Sequence, residues 1–137
     1  MTIHVETRDA IDIVDITDRV SESLPEIEAG LCTVFVEHTT AALSVNEAEL
    51  RLLDDLKQFV SELSAPDGWN HDALDNNADA HLRSSLFGRS VSIPIREGEL
   101  ALGTWQSVLL IECDGPRKRT FSVTVTSAAP SAPTSSK

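Results

Sequence analysis

Three histidines are the side chains best suited to chemistry in this sequence. His38 directly follows an apolar run, His71 lies in a polar segment beside Trp69, and His81 lies in a helical pattern. Three imidazoles could bind Zn²⁺ and leave a position open for water, or one of them could act as a general acid or base near neutral pH. The spacing contains no local zinc motif such as H-E-x-x-H, so a structural role for each histidine stays open.

Two carboxylates suggest a site for a cation, and a basic cluster suggests a site for an anion. Glu47 and Asp54 are seven residues apart, which places them on one face of a predicted helix, where they could bind Mg²⁺ as an alternative to a histidine site. Arg117, Lys118 and Arg119 form the densest basic cluster in the chain. Arginine pairs well with phosphate, although turns between strands also collect charge without binding anything.

Two further groups of polar residues could contact a substrate. Asn77 and His81 are four residues apart and therefore share a helix face near its start. Trp105 and Gln106 follow Gly103-Thr104, and we predict that Gln106 lies inside an apolar strand, where its amide needs a buried partner. Asn46 has two interpretations, as a site residue or as the N-cap of the helix that follows it.

The elements that must position these residues are mostly strands. Alternation predicts strands at residues 3–8 and 10–17 joined as a hairpin, and the apolar run 31–36 predicts a strand buried on both faces. Strands are also predicted at 90–95, 100–104, 105–113 and 120–126, the last two as a hairpin. Helical spacing predicts helices from Thr17 or Asp18 to about Glu28, from Asn46 to Leu63, and from Asn76 or Asn77 to about Phe87.

Length and charge restrict the function further. With 137 residues the chain is expected to form one domain over residues 1–126, followed by a disordered Ser/Ala/Pro-rich tail at 127–137. The net charge of −11 argues against binding nucleic acid or an anionic membrane. Dispersed acid with little lysine is typical of proteins from a salt-rich cytoplasm, although an acidic protein from an ordinary cytoplasm fits as well.

The cysteines and the hydropathy pattern favour a cytoplasmic protein. Cys32 and Cys113 both lie in apolar runs, as expected for buried thiols in a reducing compartment. We find no run of eighteen apolar residues that would span a membrane, and no signal peptide is visible at the N-terminus.

A series of short motifs resembles the YjbQ-like protein family. The motifs occur in order between Ile3 and Thr126: Glu37-His38-Thr39-Thr40-Ala41, Asn46-Glu47, Asn77-Ala78-Asp79-Ala80-His81-Leu82, Ile93-Pro94-Ile95, Leu102-Gly103-Thr104-Trp105-Gln106, and Glu112-Cys113-Asp114-Gly115-Pro116-Arg117. The resemblance implies an α+β fold, a β-rich sandwich with two or three helices packed outside, and a homotrimer. It also implies that the polar motif residues gather in one pocket.

The resemblance further implies an activity, since some members of that family are secondary thiamine-phosphate synthases. Such an enzyme joins hydroxymethylpyrimidine pyrophosphate to thiazole phosphate and releases pyrophosphate. The family's motif histidines correspond to His38, His71 and His81, and its motif acids to Glu47, Asp54 and Asp114. The hypothetical site therefore has three parts: catalytic residues His38, Glu47 and His81; a divalent metal, Zn²⁺ or Mg²⁺, on the three histidines or on Glu47 and Asp54; and substrate-binding residues Thr39, Asn46, Asn77, Trp105, Gln106, Arg117 and Arg119.

Two other functions fit the same residues. The three histidines could serve a metal-dependent hydrolase or lyase that acts on a small anionic substrate. Alternatively, the protein could be a trimer that binds a phosphorylated ligand without converting it. All three hypotheses share a small phosphorylated or anionic ligand.

Overall fold

The structure is a computed structural model that describes residues 1–128. Its strands are β1 (Thr2–Glu6), β2 (Asp12–Asp15), β3 (Gly30–Val36), β4 (Ala41–Asn46), β5 (Ser90–Arg96), β6 (Glu99–Leu100), β7 (Ser107–Glu112) and β8 (Lys118–Ser127). Its helices are α1 (Thr17–Glu22), α2 (Leu50–Glu62) and α3 (Ala78–Ser85), with a 3₁₀ turn at Asn70–Ala73. Residues 129–137, most of the predicted tail, lie outside the described residues, and β8 continues one residue beyond the predicted domain end.

Two antiparallel sheets form the β-sandwich that the resemblance implied. The five-stranded sheet has the order β1-β8-β3-β5-β6, and the three-stranded sheet has the order β2-β7-β4. Side chains from the inner faces of both sheets form the main core, which includes Val34, Leu43, Leu110 and Phe121. The α+β fold class is therefore confirmed.

The outer face of the three-stranded sheet is covered by helices. Ala42, Leu109 and Ile111 of this sheet pack against Val60 of α2 and Ala80 of α3. This second, smaller core fixes α3 against β4, so the polar residues of α3 are held on a rigid support. None of the helices within residues 1–128 is long and apolar enough to cross a membrane.

Both predicted hairpins are wrong. β1 pairs with β8 whereas β2 pairs with β7, and β7 and β8 themselves lie in different sheets. The connections 7–11 and 113–117 are therefore crossings between the layers, and the second contains a cis bond between Gly115 and Pro116. Alternation along a strand shows which side chains are buried, but it does not select the partner strand, and this is why the local patterns misled.

The predicted end of α1, the predicted start of α2 and one strand assignment also need correction. α1 ends at Glu22, before Pro25, because proline cannot continue a helix. α2 begins at Leu50 with Glu49 as its N-cap, so Asn46 is the last residue of β4 and does not cap the helix. β3 is buried on one face only, since Leu31 and Phe35 are exposed on the other.

Candidate active site

A cleft of about 250 Å³ opens between the 3₁₀ turn and α3. It is lined by Trp69, Asn70, His71, Ala78, His81 and Leu82. Most of these side chains are aromatic or apolar, and two of them are imidazoles. The cleft therefore combines a surface for a flat ring with two groups that can transfer protons.

His71 and His81 are in direct contact at the centre of this cleft. Their ring centroids are 4.8 Å apart and the rings meet edge to face. Nε2 of His71 is buried and has no hydrogen-bond partner among the described residues, since the nearest carboxylate oxygen, on Asp75, is 3.8 Å away. A buried nitrogen without a partner is costly, so a ligand that bonds to it would be favoured.

A row of hydrogen bonds connects α3 to the crossing that follows β7. Asn77 precedes α3, but the Asp72 carboxylate accepts the hydrogen bond from the Ala78 amide, so the Asn77 side chain is not used as a cap. Asn77 Nδ2 instead donates to Asp114 Oδ2 at 3.0 Å, and the Arg117 guanidinium donates to the same oxygen at 2.9 Å. Oδ1 of Asn77 is buried without a partner among residues 1–128.

A buried ion pair stabilises the crossing at residues 113–117. Arg119 and Glu112 are 2% and 0% exposed, and the guanidinium donates to both carboxylate oxygens. Arg119 also donates to Thr40 Oγ1, and Thr7 Oγ1 donates to Glu112. The expected role of Arg119 in binding substrate is therefore wrong, because its donors are occupied inside the protein. The backbone amide of Asp114 donates to Glu112, so the pair instead positions Asp114.

His38 lies in a different environment from the other two motif histidines. The Thr120 amide donates to its Nε2 at 2.9 Å, so the ring proton is on Nδ1. Burial and the nearby Arg119 lower the pKa of His38 below its usual 6.5. Thr39 beside it contributes its carbonyl oxygen, which accepts hydrogen bonds from Ser84 and Arg89. His38 is thus a neutral donor at the edge of a second, open cleft.

A single chain does not present the three-histidine metal site. Within residues 1–128, no group of three or more His, Cys, Asp or Glu side chains is arranged to hold a metal ion. The alternative metal site on Glu47 and Asp54 is not formed on a helix face. Glu47 precedes α2, so it does not share a face with the exposed Asp54. The residues present do not fit a resident metal in one chain.

The remaining expected site residues lie at the opposite end of the three-stranded sheet. Asn46 pairs with Ser107 at one end of β4 and β7, whereas Ala41 pairs with Glu112 at the other. Five residue steps of about 3.3 Å separate these ends by about 17 Å. Trp105 and Gln106 precede Ser107, so neither reaches the cleft of its own chain. Within one chain the site residues therefore form two groups, and no single pocket of that chain contains them all.

The group at this far end is held by hydrogen bonds and is open to solvent. Gln106 is exposed and does not lie in a strand. Its side-chain Oε1 accepts a hydrogen bond from the Gly103 backbone amide, and its backbone amide donates one to the Gly103 carbonyl. These two bonds close a tight turn that leaves Trp105 72% exposed. Asn46 Oδ1 accepts from the Glu47 amide. We call Asn46, Glu47, Trp105 and Gln106 the far-end group.

Some residues of the cleft were not singled out from the sequence as site residues. Trp69 and Leu82 line it, and Asp114 was identified only through the resemblance. One local signal that pointed to this place was the spacing of Asn77 and His81 on a helix face. Trp69 beside His71 was a second signal, because an aromatic next to an imidazole in a polar loop is exposed to ligands.

Comparison with other proteins decides the family. The sequence profile of the UPF0047 protein YjbQ-like family matches residues 1–128. The chain belongs to the UPF0047 family of YjbQ-like proteins. A UPF0047 protein of Archaeoglobus fulgidus is 48% identical over 120 residues, which cover 87% of this chain and 94% of the relative. The UPF0047 protein YugU of Bacillus subtilis is 34% identical over 87% of this chain and 92% of its own length.

Two solved structures share the fold of this chain. A hypothetical protein of Aeropyrum pernix K1 superposes with a TM-score of 0.89 at 43% identity, covering 93% of this chain and 98% of that one. A protein of unknown function from Sulfolobus solfataricus P2 superposes with a TM-score of 0.90 at 39% identity, covering 93% and 96%. The family and the fold are therefore established together.

Proposed function

We propose that this UPF0047 protein is an enzyme for small phosphorylated substrates, with activity of the thiamine-phosphate synthase type. The observation that carries the proposal is the cleft in which two imidazoles face a mainly apolar surface beside the Asn77–Asp114–Arg117 row. This arrangement suits a ligand with a flat ring and a phosphate. The choice of reaction comes from the family resemblance.

The proposed reaction requires few protein groups. The thiazole nitrogen attacks the methylene carbon of the pyrimidine substrate, a C–N bond forms, and the C–O bond to pyrophosphate breaks, so that the electron pair leaves with the pyrophosphate oxygen. Arg117 is half-exposed and can turn from Asp114 toward a phosphate. His71 or His81 donates a hydrogen bond or proton to the leaving oxygen. Trp69 supplies a face on which a ring can stack.

A divalent cation enters this proposal with the substrate. Mg²⁺ usually binds through substrate phosphates and keeps several waters, so it needs few protein ligands. It would screen the negative charge of pyrophosphate near Asp114. No step above depends on the ion, and omitting Mg²⁺ with excess chelator measures how much the cation contributes.

The test is direct synthesis from the two precursors. Purified protein with Mg²⁺ is expected to form thiamine phosphate and pyrophosphate, both followed by chromatography. His81→Ala and Arg117→Gln are expected to lower the rate at least about 100-fold, as for loss of an acid–base or charge-stabilising group. His4→Ala changes a histidine on β1, outside the cleft, and is the matched control. Absence of product from the folded wild-type protein would refute the proposed reaction.

A ligand-binding protein without turnover is the second candidate. The buried, unpartnered Nε2 of His71 and Oδ1 of Asn77 favour it, because bound ligand satisfies both atoms whether or not it reacts. Titration calorimetry with the thiazole phosphate distinguishes the two candidates. Tight binding that His71→Ala abolishes, together with no product, would identify a binding protein.

The proposal also assigns the protein to a reducing compartment such as the cytoplasm. Cys32 and Cys113 are free and buried, and burial raises the pKa of the Cys113 thiol to about 12. Such thiols are unreactive and fit a compartment in which disulfides are rare.

A further inference from the structure

We infer that the active site is shared between copies of the chain: the far-end group of one copy completes the His71–His81 cleft of the next. The inference rests on the proposed function, since it adds residues to that same site. The far-end group supplies one carboxylate, two amides and an indole. The cleft supplies two imidazoles, and the Asn77–Asp114–Arg117 row beside it supplies a guanidinium and a carboxylate.

The first argument is distance within one chain. β4 and β7 run side by side from the far-end group to the cleft, and their paired length is about 17 Å. Asn77 anchors the start of α3 to Asp114, beyond the last paired residue of β7. No side chain spans this separation. If both groups act on one substrate, they must come from different copies.

The second argument is the form of the turn at 103–106. An indole that is 72% exposed gains nothing from burial in its own chain. The turn is nevertheless fixed by two hydrogen bonds between Gly103 and Gln106, so Trp105 is held outward on a rigid support. A preorganised, exposed tryptophan is typical of the central anchor of an interface.

The third argument is that the cleft is incomplete where a second copy could contact it. It is open to solvent, its surface is mainly apolar, and it contains Leu82 and Trp69 among the exposed large hydrophobic residues. His71 Nε2 and Asn77 Oδ1 still need partners. Gln106 and Asn46 of another copy carry amides that can hydrogen-bond to a ligand held in this cleft.

Acidic copies can approach one another because part of the surface carries no charge. With a net charge of −11, most contacts between two copies would be repulsive. On the outward face of the five-stranded sheet, however, nine paired residues are all uncharged: Leu31, Thr33 and Phe35 beside Pro94, Ser92 and Ser90 and beside Thr126, Thr124 and Ser122. A contact between copies that includes this face meets no carboxylate from it.

A contact between two different ends of the molecule determines the kind of assembly. Such a contact is heterologous, and it forms a closed ring when the rotation between neighbours closes. Three copies are the number that the family resemblance implies. Each ring would then contain three equivalent sites, every one built from two chains.

Cross-linking tests the inference without any activity. The double variant Trp105→Cys/Leu82→Cys places one thiol in the far-end group and one in the cleft, and a denaturing gel separates a bond within a chain from a bond between chains. Mild oxidation is expected to give a covalent ring of copies on a denaturing gel. Phe59→Cys/Leu82→Cys, with an exposed position on α2 in place of Trp105, is the matched control and is expected to stay monomeric on the gel. The native thiols are buried and do not interfere.

Complementation gives a second, independent readout. His81→Ala and Trp105→Ala are each expected to be inactive, whereas the two refolded together regain part of the wild-type rate, because some sites then combine an intact cleft with an intact far-end group.

A monomeric wild-type protein, or an assembled Trp105→Cys/Leu82→Cys variant that does not cross-link, would overturn the shared site. If the wild-type protein is inactive, only the proposed reaction fails and cross-linking still decides the shared site.

Discussion

The buried pair of Arg119 and Glu112 shows how a charged residue in a functional motif can act from inside the protein. Both side chains are almost completely buried; Glu112 also accepts a hydrogen bond from Thr7, and Arg119 also donates one to Thr40. Because a buried charge without a partner is strongly destabilising, the pair fixes the start of β8 and the end of β7 relative to each other. Asp114 and Arg117 are positioned by this rigid base and remain available at the surface.

His38 predicts a specific dependence of stability on pH. Its pKa is lowered in the folded protein by burial and by Arg119 and Arg117, against the smaller raising effect of Glu112 and Glu37. Below the unfolded pKa, the unfolded state therefore binds more protons than the folded state, so the free energy of unfolding falls as pH falls through about 6.5. Urea unfolding between about pH 5 and 7.5 measures this fall.

The variant His38→Gln separates this effect from other titrations. Glutamine keeps an oxygen that can accept from the Thr120 amide, but it does not titrate. Its stability is expected to change less with pH than that of the wild-type protein over the same interval. Equal slopes for the two proteins would exclude His38 as the source of the pH dependence.

At the scale of elements, the caps of the helices decide which polar side chains are available for function. Glu49 caps α2 and Asp72 supplies the acceptor for the first turn of α3. Asn46 and Asn77, at which the sequence placed the starts of α2 and α3, therefore do not use their side chains for capping. Asn77 bonds to Asp114, and Asn46 closes the end of β4 within the far-end group.

The assignment of the α2 cap gives a stability prediction. Glu49 Oε2 accepts from the Arg51 amide, so Glu49→Ala is expected to cost about 1 kcal/mol of unfolding free energy, as is typical for loss of an N-cap. Asn46→Ala, three residues earlier, is expected to cost much less because no helix amide depends on it. Urea denaturation compares the two variants, and a larger loss for Asn46→Ala would contradict the assignment.

At the scale of the whole molecule, the net charge opposes the assembly that we infer. The chain carries 22 acidic and 11 basic residues, and the inferred ring of copies would bring these like charges together. Salt weakens that repulsion, since the Debye length falls from about 10 Å at about 0.1 M to about 3 Å at about 1 M. Adaptation to a salt-rich cytoplasm stays a prediction from composition.

This charge predicts that salt stabilises both the fold and the assembly. Raising KCl from about 0.1 M to about 1 M is expected to raise the thermal midpoint by several degrees and to shift the protein toward its larger assembled form. Thermal unfolding and light scattering measure the two effects. A variant with three exposed glutamates neutralised, Glu22→Gln/Glu26→Gln/Glu62→Gln, should gain less from salt; a midpoint that falls with KCl in the wild type would contradict the prediction.

The sequence alone determined the identity of most elements and the class of fold. Alternation and helical spacing located most strands and the two longer helices within a few residues, because these patterns record which side chains are buried. They did not predict β4 (Ala41–Asn46), and the strand expected at 100–104 is reduced to β6 (Glu99–Leu100). The ordered motifs identified the family. The spacing of Asn77 and His81 correctly placed both residues beside one cleft, since an α-helix brings residues four apart onto one face.

Only the tertiary structure decided which motif residues act together. Strand pairing is non-local, so the crossings between sheets, and with them the separation of Trp105 from Arg117, could not be seen in local patterns. The same holds for Arg119, whose burial depends on Glu112 and Thr40 from other strands. The sequence showed which side chains could do chemistry, and the folded chain placed them in two groups at opposite ends of one sheet, because β4 and β7 hold those ends apart.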